Sequence, residues 1–139
     1  MSNRTVIVDN NTWNNTHIAT VGLVMASNEY EAYKIAKSLD ATHILVIFGG
    51  LDNYSGDDIA KFFWMLRIAA NIYPGLREQD FIDERGRMDI GKDGAKTYHD
   101  SLMYKLCYYR YSELRTHPNP RAPMGYDRVR KEQVGVKDI

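Results

Sequence analysis

His43-Ile44-Leu45-Val46-Ile47-Phe48-Gly49-Gly50, followed after a short connection by Ser55-Gly56-Asp57-Asp58, is the stretch on which the fold turns. A continuous β-branched run between Asp40 and a glycine pair predicts a strand covered on both faces, the central one of a sheet. Ser55 then caps a helix whose first turn holds Asp57 and Asp58, where the positive end of the helix dipole favours acids, and Asn71 to Pro74 end it. Upstream, Thr5 to Val8 predicts a second strand that stops at the turn-forming Asp9-Asn10-Asn11. Between the two strands lie two helical patterns. Ile18, Val21, Gly22 and Met25 recur at helical spacing from Asn15 onward. Asn28-Glu29-Tyr30-Glu31 offers a capping box to a second stripe of Ala32, Ile35, Ala36 and Leu39. Strand, helix pair, strand and helix in that order predict an α/β fold in which short parallel strands pack against three to four helices.

Downstream the pattern loosens. Residues 75–96 form a Gly- and charge-rich connection, expected to be a long irregular loop. Asp100 to Leu114 returns to helical spacing with Leu102, Leu106 and Tyr109 on one side. Pro118, Pro120 and Pro123 then forbid regular helix. The expected organisation is a domain over residues 1–114 and a Pro-rich basic arm over 115–139.

Composition sets outer limits. With 44% hydrophobic and 26% charged residues, the chain is long enough for one domain with a real core. Its formal net charge of zero argues against bulk electrostatic binding to nucleic acid or to an acidic membrane surface. The longest apolar run, Ile44 to Phe48, is far too short to span a bilayer. Cys107 is the single cysteine and reads as a small buried residue. The nine Asn and thirteen Ser/Thr would make about one Asn-x-Ser/Thr sequon by chance, yet four occur, at Asn3, Asn10, Asn14 and Asn53. The excess hints at a compartment where oligosaccharide is transferred, although Asn-rich loops also generate such triplets without any sugar being attached.

Few side chains form constellations with chemical potential. Gly49-Gly50 before a helix start resembles a phosphate cradle, but Asp57 and Asp58 would repel an anion there and no nucleotide-binding glycine pattern is present. His17, His43, His99 and His117 are scattered, without paired ligand spacing for a metal. The third helix is more informative. Advancing 100° per residue puts Ile59, Phe62, Phe63, Leu66 and Ala70 on one buried face and Asp58, Lys61 and Met65 on a stripe beside it. An amine that can donate to a hydroxyl, an acid that holds it and a thioether that can pack on a methyl group suit a hydroxyl-bearing ligand. A solvated Asp-Lys pair at i, i+3 is the bland alternative.

Several longer motifs are familiar. Val8-Asp9-Asn10-Asn11-Thr12-Trp13-Asn14-Asn15-Thr16-His17-Ile18, Leu45 to Leu51, Tyr54-Ser55-Gly56-Asp57-Asp58, Leu102-Met103-Tyr104-Lys105 with Cys107-Tyr108-Tyr109-Arg110, and Tyr126 to Arg130 resemble, in order and spacing, the eukaryotic catalytic subunit of oligosaccharyltransferase. The resemblance covers nearly the whole chain and is weakest from Ile72 to Lys96. It implies part of the C-terminal lumenal domain of an endoplasmic reticulum membrane enzyme, which moves an oligosaccharide from a dolichyl diphosphate donor to the Asn of a sequon. It further implies that Asp58, Lys61 and Met65 are the family's Asp-x-x-Lys-x-x-x-Met (DK) motif, which helps bind the Ser/Thr of an acceptor polypeptide. Asn3, Asn10 and Asn14 match positions where family members carry their own glycans, whereas Asn53 lacks that support.

The departures from the family pattern set further expectations. No Trp-Trp-Asp-Tyr-Gly occurs, so half of the acceptor pocket is missing and the chain reads as starting just downstream of that motif. It also reads as stopping before the strands that close the family's domain. The family's divalent cation, Mn or Mg, is expected in the full-length enzyme and not on this segment, which is therefore expected to be inactive alone. Expected partners are acceptor polypeptides, the lipid-linked donor through the membrane part, and other subunits of the complex, with no nucleic acid. Two alternatives remain: a non-catalytic interaction module of the complex and a small nucleotide-binding α/β domain.

Overall fold

A computed structural model of the chain describes residues 5–8, 13–47, 58–89, 93–108, 124–127 and 132–135. Helix α1 (Asn15–Ala26) begins where Asn14 turns its side-chain oxygen onto the His17 N–H, 3.1 Å away. This bond satisfies a donor that the first helical turn cannot satisfy internally. After Ser27 the device repeats: Asn28 accepts the Glu31 N–H at 3.0 Å and starts α2 (Glu29–Ser38). Only half of the predicted capping box is made, because the Glu31 carboxylate turns to Lys34 at 3.1 Å. Asp40, with φ at 54°, lets the chain leave α2 in a left-handed conformation that Asp tolerates.

Helix α3 (Asp58–Ile72) packs mainly against α1. A one-turn 3₁₀ helix (Glu78–Phe81), α4 (Lys96–Asp100) and α5 (Leu102–Tyr108) then complete the helical part. Phe62 and Leu66 of α3, Phe81, Tyr98 and Met103 lie at the centre with almost no exposed surface. The Phe62 ring stacks on Tyr98 at 5.7 Å and meets Phe81 edge-on at 5.9 Å. Such ring pairs add about 0.5–1.5 kcal/mol beyond their burial. Polar ties close the perimeter: the Leu102 N–H donates to the Ser27 carbonyl at 2.8 Å, Lys105 meets Glu29 at 2.6 Å, and the Thr20 and Tyr73 hydroxyls are 3.1 Å apart.

This helical arrangement overturns the α/β expectation with parallel strands. Thr5 to Val8 and His43 to Ile47 are both described, and neither forms a strand. The central-strand reading required cover on both faces, yet Leu45 is 88% exposed, and Ile44 and Ile47 are exposed as well. Only Val46 of that run packs against the core. A run of β-branched residues supplies strand propensity but not a partner strand, and propensity alone does not make a ladder. Among the described residues the paired strands are β1 (Met124–Asp127) and β2 (Glu132–Gly135), an antiparallel hairpin with Met124 opposite Gly135. It falls within the stretch expected to be an arm, just after the last of its prolines.

The predicted last helix is also revised. Ser101 breaks it, and the buried side chains of α5 are Met103, Cys107 and Tyr108, while Leu106 is exposed. The Ser101 hydroxyl donates to the Tyr98 carbonyl at 2.6 Å and accepts the Tyr104 N–H at 3.2 Å, so it ends one helix and caps the next. Phe81 gives the expected loop over 75–96 a buried anchor. Beyond it, Asp83 accepts the Arg85 and Arg87 N–H groups at 2.9 and 2.7 Å and draws the chain into a turn.

Candidate functional site

Helix α3 carries the candidate site, and its orientation decides what the site presents. Its buried residues are Phe62, Leu66 and Ala69, where the sequence pattern centred the buried face on Phe62, Phe63, Leu66 and Ala70 together with Ile59. At 100° per residue, the observed face is turned by about 50° toward the Asp58, Lys61 and Met65 stripe. Phe63 and Ala70 are consequently half-buried, and the Ile59 side chain lies outside the described residues.

The rotation follows from the way α1 approaches. Gly22 is buried against α3 so closely that a Cβ at that position would lie 2.5 Å from the Met65 carbonyl oxygen and 3.1 Å from the Ala69 Cβ. Glycine is the residue that permits such backbone contact. The stripe therefore sits on the border between core and solvent. Asp58 and Met65 are half-buried, and Lys61 between them is exposed.

Asp58 and Lys61 come together as the stripe predicts. The Lys61 ammonium lies 3.2 Å from one Asp58 carboxylate oxygen, with the lysine side chain 55% exposed and the aspartate 20%. An i, i+3 pair this open to water contributes at most about 0.5 kcal/mol to stability. Its consequence is orientation: an ammonium has three donors, and a single carboxylate oxygen leaves others available to a ligand. Met65 follows Lys61 by one helical turn, so an amine and a polarizable apolar group stand side by side on the same ridge.

The remaining candidate residues are more dispersed. Asn14 is exposed and caps α1 through Oδ1, the oxygen that an N-linked sugar would leave in place. It lies at a groove of about 190 Å³ shared with Val6, Ile7, Val8, Trp13, His17 and Ile18. Asn3, Asn10, Asn53, His117 and the Gly49-Gly50 pair lie outside the described residues. His17 and His43 are exposed, and half-buried His99 packs on the Tyr104 ring at 4.5 Å. Among the described residues no three His, Cys, Asp or Glu stand close enough to hold a metal ion, and no helix is long and apolar enough to cross a membrane. The sequence reading missed Ile47 as a partner of the site. Its exposed position and its bonds to Asp58 have no signature in residue type.

No family model matches the chain. Over its full length it is 55% identical to the dolichyl-diphosphooligosaccharide–protein glycosyltransferase subunit STT3B of Oryza sativa subsp. japonica. It is 52% identical to the subunit STT3B of Arabidopsis thaliana and 52% identical to the subunit STT3 of Dictyostelium discoideum. The chain belongs to the STT3 family. It spans 19%, 18% and 19% of the length of these relatives, a little under one fifth. Because the alignments reach every residue, the α3 stripe and the α1 cap both fall inside the STT3-related region.

Proposed function

We propose that this segment contributes acceptor recognition to a dolichyl-diphosphooligosaccharide–protein glycosyltransferase, by binding the Ser/Thr hydroxyl of an Asn-x-Ser/Thr sequon on the ridge formed by Asp58, Lys61 and Met65. One observation carries the reading: Lys61 is exposed, held at 3.2 Å by Asp58, and stands beside half-buried Met65 on a helix whose adjoining face is locked in the core. Lys61 donates to the hydroxyl and Asp58 limits the positions the ammonium can take. Met65 receives the extra methyl of Thr. Burying one such carbon contributes about 0.8 kcal/mol, a preference of roughly fourfold for Thr over Ser. Glycosyl transfer itself, the lipid-linked donor and the divalent cation belong to other parts of the parent protein. The segment works on the lumenal side of the endoplasmic reticulum membrane, within a complex of several subunits.

Lys61→Ala in a full-length parent tests this. A donor lost from a charged hydrogen bond raises the acceptor-peptide KM about tenfold or more, at least as much as it lowers kcat. Acceptor kinetics identical to the wild type would remove Lys61 from the site.

A further inference from the structure

The Asp58 carboxylate is divided between two tasks. Oδ1 faces the Lys61 ammonium at 3.2 Å, while Oδ2 accepts the Ile47 N–H at 2.7 Å. The Asp58 N–H in turn donates to the Ile47 carbonyl at 3.0 Å. One residue thereby engages both backbone polar groups of another, and these two residues flank the stretch 48–57. The bond to Oδ2 is short and charge-assisted, the stronger kind of hydrogen bond. Among the described residues, the 41–47 segment is otherwise held by the Ala41 N–H, which donates to the Ala36 carbonyl at 3.0 Å, and by Val46 against the core, its other apolar side chains being exposed apart from half-buried Ala41.

We propose that Asp58 is a positioning residue whose carboxylate clasps Ile47 to the start of α3 and, through the same group, fixes where Lys61 stands. This deepens the acceptor reading and rests on it for its functional half. The clasp makes the placement of the ammonium depend on the 41–47 segment, so a shift of Ile47 is transmitted to the acceptor-binding ridge without any contact between Ile47 and the acceptor.

Two substitutions separate the tasks. Asp58→Asn keeps an oxygen that can accept the Ile47 N–H but removes the charge facing Lys61. Asp58→Ala removes both. In a full-length parent within its complex, hydrogen exchange at the Ile47 amide is measured beside acceptor-peptide kinetics. The expected result is exchange about tenfold faster in Asp58→Ala and close to wild type in Asp58→Asn. Acceptor KM rises in both variants, more in the alanine, with kcat less affected. Equal Ile47 exchange in wild type and Asp58→Ala, or failure of Asn to restore protection, overturns the clasp. Should the alanine variant not assemble, Asp58→Asn alone decides: a protected Ile47 amide with raised KM supports the division of tasks, and rapid exchange overturns it. If KM ignores Lys61→Ala while Ile47 exchange still follows the Asn and Ala pattern, the acceptor reading falls and the clasp stands.

Discussion

Three glycines of this chain should answer alanine substitution in three different ways, and Gly22 is the decisive one. A methyl carbon at position 22 would sit 2.5 Å from the Met65 carbonyl oxygen, 2.9 Å from its carbonyl carbon and 3.1 Å from the Ala69 Cβ. Favourable non-bonded separations are about 3.5 Å, so α1 and α3 must part by most of an ångström. The obstacle is helix backbone and cannot swing away. Overpacking of this kind costs about 1–3 kcal/mol, and a rigid obstacle belongs at the upper end, while replacing a helical glycine by alanine returns about 1 kcal/mol. The net loss is about 2 kcal/mol, a fall in Tm of roughly 6–10 °C for a domain of this size. At Gly75 nothing lies within 4 Å, and alanine there should leave Tm unchanged or slightly raised. At Gly86 there is room too, but φ is +71°, and alanine should cost about 1 kcal/mol through backbone strain. Thermal unfolding of the three variants followed by circular dichroism is the assay. A Gly22→Ala protein as stable as the wild type, or a Gly75→Ala protein equally damaged, would refute the argument that helix approach governs this site.

Two further outcomes are expected. Phe62→Ala removes the ring at the centre of the aromatic cluster and should cost about 3–5 kcal/mol in a denaturant titration, with loss of the near-ultraviolet signal of Tyr98. Asp83 is held below the usual carboxylate range, chiefly because its side chain accepts the Arg87 N–H; the cost of burial opposes this as the next largest effect, and the Arg85 N–H and the Arg87 charge add smaller lowering contributions. A lowered folded-state value means that its stabilisation is present above the unfolded value of 3.8 and is lost as pH falls through the lower folded value. The stability difference between wild type and Asp83→Asn should therefore be constant near neutrality and shrink only in strong acid, and an Asp83 titration midpoint at or above 3.8 by NMR would contradict it.

The helices were legible where periodicity and caps agreed. Asn28 before Glu29, and Ile18, Gly22 and Met25 at turn spacing, mark α2 and α1 because capping and burial act within a few residues of the chain. The stripe of Asp58, Lys61 and Met65 was legible for the same reason, since helix geometry alone places it. How far it is exposed was not, because that depends on the close approach of Gly22 from another helix. His43 to Phe48 misled: short apolar runs fit strand or irregular segment equally, and only a neighbouring strand, which no local pattern encodes, would decide. The break at Ser101 had a readable signal, a hydroxyl residue ahead of Leu102-Met103, but the helical spacing through Asp100 to Leu114 outweighed it. Exposed Trp13 and Leu45 run against the simple rule that apolar residues go inside.

The central position of Tyr98 and Met103 has a consequence for how the chain is made. Phe62 and Leu66 leave the ribosome well before the residues that cover them, and the interval to Tyr108 is about 40 residues, or roughly 2–8 s at ordinary elongation rates. During that time the early helices exist without their lid. A pause in translation near codon 80 would prolong the uncovered state until Tyr98 and Met103 emerge to cover Phe62 and Leu66.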